Sequence, residues 1–420
     1  MSIRAAIVIT GLPSWANRRY STSTPPLWNT PFALFWSSRV LSTLALNMQT
    51  VAVGWQLYSL TGSAFDLGLV GLAQFAPTVV LTLVVGQVAD RYDRRVVVVI
   101  CHVAEAGATG VLALGSLGGW LSRDGILAVL VVIGAARAFE NPARASLVPR
   151  LVPLPLLSRA IASVTSAGQM ARIAGPALGG ALYALGAPTV YVTVAALYMV
   201  GGVLIALVRD GHPARPRTAV TPASLFEGVL FILRQRLLLG LMSLDLFAVL
   251  LGGATALLPI YARDILGTGP VGLGLLRGAQ AIGALAMSLQ LSRRPMEHNA
   301  GPVLFGSILV FGVATIVFGL STNLSLSLVA LAVLGGADLL SMIIRQSLVQ
   351  IRTPDGMRGR VSAVHSLFTG TSNQLGEFES GLLAALFGAV PAVLVGGVGT
   401  LVVVALWMYR FPELRRFHLA

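Results

Sequence analysis

A set of ionisable residues stands inside stretches that are otherwise almost wholly apolar. They are Arg39, Glu105, Arg137, Glu140 and Arg172 in the first half of the chain, and Asp245, Arg277, Asp338, Glu377 and Glu379 in the second. A charge placed where water is scarce is costly, so such groups are paired, carry protons or hold a charged ligand. A buried carboxylate can take up and release a proton, which makes Asp338, Asp245 and Glu377 candidate carriers. Arginine keeps its proton, so Arg137 and Arg39 are candidates for tuning a carboxylate or holding an anionic group. Glu377 and Glu379 are two residues apart and point to different helix faces, so at most one faces a shared cavity. His102 and His365 read as packed, neutral side chains. No set of nucleophile, base and oxyanion donors is visible, and there is no phosphate-cradling glycine loop ending in Lys-Ser or Lys-Thr.

The elements that must position these groups follow from composition. The 420 residues are 55% hydrophobic and 11% charged, with mean hydropathy +0.82. Soluble domains carry about 25% charged residues, so this chain cannot cover a water-facing surface and belongs in a membrane. A helix needs about 20 apolar residues to cross a bilayer. Twelve such runs are present, at 32–58, 65–88, 96–119, 125–145, 160–184, 187–208, 238–261, 270–291, 301–320, 324–345, 360–386 and 389–409. None shows strand alternation. The expectation is an all-α integral membrane protein with twelve transmembrane helices in two pseudo-symmetric six-helix bundles. The single cysteine, Cys101, excludes an internal disulfide, and no metal site is expected.

The net charge of +13 comes from 29 basic residues, all arginine. They are spread over short loops rather than gathered on one face, which argues against nucleic acid. Alternate loops hold nearly all of them: Arg18 and Arg19; Arg91, Arg94 and Arg95; Arg144, Arg150 and Arg159; Arg209, Arg215, Arg217, Arg234 and Arg236; Arg293 and Arg294; Arg352, Arg358 and Arg360; Arg410, Arg415 and Arg416. The other loops hold Arg123 and Arg263. This asymmetry places both termini in the cytoplasm. Residues 1–31 read as a cytoplasmic tail rather than a signal peptide, because the apolar stretch after Arg4 is short and broken by proline. Residues 32–208 form one bundle, 209–237 a cytoplasmic linker with an amphipathic helix near 224–234, 238–410 the second bundle and 411–420 a cytoplasmic tail.

The halves repeat one another. LGLVGLAQ at 67–74 matches LGLLRGAQ at 273–280, an offset of 206. An offset of 201 aligns Gly134 with Gly335, Arg144 with Arg345, Ser146 with Ser347, Arg159 with Arg360, Gly175 with Gly376 and Gly180 with Gly381. The same offsets set Arg137 opposite Asp338 and Arg39 opposite Asp245. Parallel six-span repeats are one design of secondary transporters.

The loop Gly86-Gln87-Val88-Ala89-Asp90-Arg91-Tyr92-Asp93-Arg94-Arg95 resembles the signature between the second and third helices of the major facilitator superfamily. The stretch Ala135 to Arg144, the Gly175-Pro176-Ala177-Leu178-Gly179-Gly180 segment and the stretch Leu257 to Asp264 are similar to the branch that contains enterobactin exporters and macrolide efflux pumps. The resemblance covers nearly the whole chain after residue 30. The second-half counterpart of the loop, Ser292 to Glu297, lacks an acid matching Asp90, so the halves are not expected to latch symmetrically. Gly86 allows close helix approach, and Asp90 can accept from Arg144, which defines a candidate latch. Arg91, Arg94 and Arg95 read first as topology determinants and second as members of that latch. Pro176, with Gly175, Gly179 and Gly180, permits a bend and tight packing where the halves meet.

The resemblance implies that spans one, four, seven and ten line a central cavity. The first half then contributes a basic wall, Arg39 and Arg137, and the second an acidic one, Asp245 and Asp338. Arg39 and Asp245 suit a cytoplasmic gate, whereas Glu105 falls on an outer helix. The function implied is a proton-coupled secondary exporter of the bacterial inner membrane, a monomer working on a drug, siderophore or similar small molecule. It needs no cofactor beyond the proton gradient and no partner beyond cargo and lipid. The alternatives are an uptake carrier or lipid transporter of the same fold, and a transporter-like receptor or scaffold, which the short tails disfavour.

Overall fold

A computed structural model describes residues 28–209, 222–293, 299–354 and 356–415. The first bundle holds α1 (Thr30–Thr61), α2 (Ala64–Arg91), α3 (Arg94–Gly118), α4 (Arg123–Leu151), α5 (Leu157–Tyr183) and α6 (Ala187–Ala206). A short helix, α7 (Pro222–Arg234), leads into the second. There α8 (Arg236–Leu251), a 3-10 turn, α9 (Leu258–Ile260) and a π-helical turn (Tyr261–Ile265) together make the seventh span. The remaining helices are α10 (Gly269–Arg293), α11 (Ala300–Leu320), α12 (Leu324–Arg352), α13 (Arg358–Phe387), α14 (Ala389–Arg410) and α15 (Pro412–Arg415).

Nine described helical stretches are long and apolar enough to cross a membrane on length and composition. The helices α1, α5 and α13 are as long but more polar, carrying residues such as Asn47, Gln374 and Glu377 toward the interior. They complete twelve spans. Apolar side chains such as Val80, Ile100, Leu114 and Leu117 stay exposed, as lipid-facing residues do. Because lipid is as apolar as leucine, helix association rests on packing and small residues rather than on escape from water.

Pseudo-symmetry is visible in the packing. In the first bundle α2 packs on α4, α1 on α5 and α6, and α3 on α4 and α6. In the second, α10 packs on α12, α8 on α13 and α14, and α11 on α12 and α14. The crossings use matched glycines. A Cβ on Gly134 would strike the Gln74 backbone, and one on Gly335 would strike the Gln280 backbone. These are the residues related by the two repeat offsets.

The halves meet through α2 with α13 and α5 with α10. Gly68 faces Gly381, and Gly180 faces Pro270 and Gly274, leaving no space for a Cβ. Gly274 in turn lies against the Pro176 carbonyl, while Gly175 and Gly179 admit Asn47 and Met48 of α1. The glycines of the Gly-Pro segment thus divide between intra-bundle and inter-bundle packing. One apolar cluster joins both halves, with Val51, Tyr58 and Leu67 against Leu257, Tyr261 and Leu276. It lies at the end opposite the arginine-rich loops. The clusters at the arginine-rich end stay within one half each: Phe32, Val98, Leu147 and Ile205 in the first, and Leu238, Phe305, Ile344 and Val404 in the second.

The seventh span departs from the continuous helix expected over 238–261. It breaks at Gly252 and Gly253, where Gly376 of α13 approaches backbone to backbone. Several other helices run past their apolar cores. The arginine-bearing ends of α4 and α12 continue to Leu151 and Arg352.

Candidate functional site

A cavity of about 200 Å³ lies between the halves. Asn47, Thr50 and Gly54 of α1, Gln74 of α2 and Arg137 of α4 form one wall. Ala256 and Pro259 of the seventh span, Arg277 of α10, and Gln374 and Glu377 of α13 form the other. Arg137 Nη1 donates to Gln74 Oε1 at 3.3 Å. Glu377 lies against Gly71 of α2, where a Cβ would come within 2.8 Å of Glu377 Oε2 and 3.0 Å of Gln374 Oε1. Gly71 therefore makes room for an acid that crosses from one half to the other. Arg277 stands in electrostatic reach of Glu377, and its Nε, like Gln374 Oε1, is buried without a hydrogen-bond partner. Unmet donors and acceptors on a cavity wall suit a polar guest.

Arg137 and Asp338, the basic and acidic wall positions related by the repeat, stand in different surroundings. Arg137 lines the cavity; Asp338 is not among the residues lining it and stands near Arg345 and Asp245 instead. Nor do Arg39 and Asp245 meet as a gate. Asp245 forms an ion pair with Arg345 Nη2 at 2.8 Å and accepts from Thr369 Oγ1 at 3.1 Å, all within the second half. Arg39 is held in the first half, with Arg144, Glu140 and Arg172 as its charged neighbours. The reason is local: each half supplies an arginine on its own fourth helix, Arg144 or Arg345, which satisfies the acid before the opposite half can.

Arg144 Nη1 bonds Glu140 Oε1 at 2.5 Å and Ser42 Oγ at 3.3 Å, and its Nη2 bonds Asn141 Oδ1 at 3.1 Å. His102 Nε2 also reaches Glu140 Oε1, at 3.2 Å. The side chains of Gly86 and Asp90 lie outside the described residues. Arg91 is exposed. Arg94 opens α3. Arg95 bonds Asp93 Oδ2 at 2.8 Å and the Val208 carbonyl at 2.7 Å, tying the loop to the end of α6. The Asp93 carboxyl is held below its ordinary range chiefly by the Arg95 side-chain hydrogen bond.

Three groups were not anticipated as site residues. In the sequence Arg277 reads as a buried charge without a role; its place opposite Gly71 in the repeat is the available signal. Gln74 and Gln374 carry no charge, so burial alone did not mark them. At the far end, Tyr58 of α1 donates its hydroxyl to Asp264, and Arg263 Nη1 bonds the Tyr58 carbonyl at 3.1 Å. The Arg263 guanidinium lies 5.4 Å from the Tyr58 ring centre. This clasp closes the far end between the halves.

The chain resembles enterobactin exporters EntS along most of its length. The Citrobacter koseri protein is 27% identical, covering 92% of this chain and 93% of that protein. The Shigella flexneri protein is 26% identical, with the same coverage. Among solved structures, a bacterial homolog of the human lysosomal transporter Spinster, inward-facing and unoccupied, superposes with TM-score 0.73 at 14% identity, covering 94% of this chain and 99% of that one. A mutant of the nucleoside transporter NupG gives 0.72 at 15% identity, covering 91% and 100%. These likenesses concern the fold. The family described as transmembrane secretion effector matches residues 21–418. The chain belongs to that family, within the major facilitator superfamily of transporters.

Proposed function

We propose that the chain is a secondary exporter of the bacterial inner membrane, which takes a small polar molecule into the central cavity and exchanges it for protons by rocking one half against the other. The observation that carries this reading is the cavity itself. Both halves line it, and the Tyr58–Asp264–Arg263 clasp shuts it at one end. The arginine-rich loops support a cytoplasmic position for the termini and the opposite end. In this conformation cargo loads from the cytoplasm, as the inward-facing Spinster homolog is arranged. Arg137, Gln74, Asn47 and Gln374 hold acceptor and donor groups of the cargo, and Arg277 and Glu377 can trade their mutual attraction for contacts with it. The direction outward is supported by the exporter names of the relatives.

The test uses inverted membrane vesicles carrying the protein and an imposed proton gradient. A panel of siderophores, macrolides and dyes is added while proton leak is followed with a pH probe. Export by exchange gives a cargo-dependent leak that Arg137→Gln abolishes. Accumulation of cargo by intact cells would reverse the direction to uptake. Correctly inserted protein that moves cargo with no proton leak would remove the coupling.

A further inference from the structure

Glu105 is a buried acid that the cavity leaves unused. It lies on α3, is 1% exposed, and belongs to a helix packed against α4 and α6. One oxygen of Glu105, one of Glu140 and a ring nitrogen of His102 all lie within 4.8 Å of one another. Hydrogen-bond partners are not shared evenly among them. Glu140 takes Arg144 at 2.5 Å and His102 at 3.2 Å. Glu105 Oε2 is buried with no hydrogen-bond partner, and so is His102 Nδ1. The charged and titratable groups around Glu105 are Cys101 and His102 on α3, Arg137, Glu140 and Arg144 on α4, and Tyr198 on α6. Arg39 of α1 faces Glu140 from the other side.

Two carboxylates this close, away from water and with one guanidinium bonded to only one of them, do not both stay ionised. A divalent cation is disfavoured because Arg144 and Arg137 already bring positive charge to the same acids. We propose that Glu105 is a proton-binding site of the transport cycle, holding a proton while its pocket is dry and Glu140 is closed on Arg144, and giving it to water when the pocket opens to water and both acids can ionise. This rests on the reading of the chain as a proton-coupled exporter. The link to the cavity is Arg137, which lines it and sits one helical turn before Glu140, in electrostatic reach of both acids. Ionisation of Glu105 therefore changes the charge felt by a guest. Asp338 stands in the other half beside Arg345 and Asp245, whereas Glu105 has a buried oxygen with no hydrogen-bond partner, which singles it out.

The test is infrared difference spectroscopy of the full-length protein in lipid vesicles, between acid and alkaline pH. The expected result is a buried carboxylic-acid carbonyl band that disappears in Glu105→Gln and returns at a displaced frequency in Glu105→Asp. Glu379→Gln, the control, retains it. Survival of the band in Glu105→Gln overturns the proposal, as does its loss in Asp338→Asn with Glu105 in place. Uptake of one Zn²⁺ per protein, lost in Glu105→Gln, overturns it in favour of a metal site. Wild-type vesicles showing no proton-dependent movement of cargo would remove the coupled-export reading, while the band still decides on Glu105.

Discussion

Arg144 and Arg345 stand at the same place in the two halves, and each closes on an acid of its own half. Arg144 reaches Glu140 at 2.5 Å and Arg345 reaches Asp245 at 2.8 Å. The repeat keeps the arginine but not the acid. Glu140 is on the same helix, one turn back, whereas Asp245 comes from α8. Both pairs are buried, with 13% or less of any participating side chain exposed. Removing one member of a buried pair strands the other, at a cost of about 3–5 kcal/mol. Arg345→Ala is therefore expected to lower the melting temperature of the purified protein strongly. The double variant Arg345→Ala with Asp245→Ala is expected to recover most of that loss. A double variant no more stable than the single one would show that the pair is not the source.

The glycine crossings give a second prediction. Gly335→Ala places a methyl against the Gln280 backbone, which cannot move aside as a side chain tip can. Overpacking of this kind costs about 1–3 kcal/mol. Gly110→Ala, on a helix with open space around it, should be neutral or slightly stabilising. Thermal melts of the two variants side by side check the contrast.

The clasp at the far end makes a kinetic prediction. Tyr58→Phe removes the hydroxyl that Asp264 accepts while leaving the ring under Arg263. A hydrogen bond contributes about 1 kcal/mol net, enough to shift a two-state population about fivefold. In a Cys101→Ser background, a reporter Thr50→Cys on the cavity wall should react faster with an impermeant maleimide applied from the far side. Unchanged labelling would mean that the glycine contacts alone keep that end shut.

The α2–α3 turn is sensitive to acid. Asp93 caps α3, accepting from the Arg95 amide at 2.9 Å, and its carboxyl sits below the usual range because of the Arg95 side chain. A lowered folded value means the contribution is complete above the ordinary carboxylate range and is lost as pH falls through the folded value. The protection factors of amides in the first turn of α3, normalised to the intrinsic exchange rate at each pH, should therefore fall at low pH in the wild type. Asp93→Ala should show the lower protection at every pH, with about 1 kcal/mol of local stability gone. A wild-type profile as flat as that of the variant would refute the role.

Much of the architecture was legible because the membrane imposes long apolar runs and the repeat imposes matched glycines. Gly134 and Gly335 were aligned by sequence alone, and they turn out to be paired crossing points. The site was less legible. Alignment by repeat set Arg137 opposite Asp338, but equivalent positions in two bundles need not touch, and each arginine found a nearer partner. Gln74 and Gln374 have no charge to betray them among apolar neighbours. Glu105 reads in the sequence as a residue of an outer helix. Its proximity to Glu140 depends on how α3 rotates against α4, which a single sequence does not specify.

The break at Gly252 and Gly253 divides the seventh span into two rigid rods. One rod carries Asp245 and its link to Arg345; the other ends in Arg263 and Asp264 at the clasp. A joint between rods lets each change tilt without bending the other. The two ends of the protein are thus held by separate parts of one span, with Gly376 packed against the joint. In the proposed export cycle, such a joint lets the clasp loosen while the Asp245–Arg345 pair stays closed.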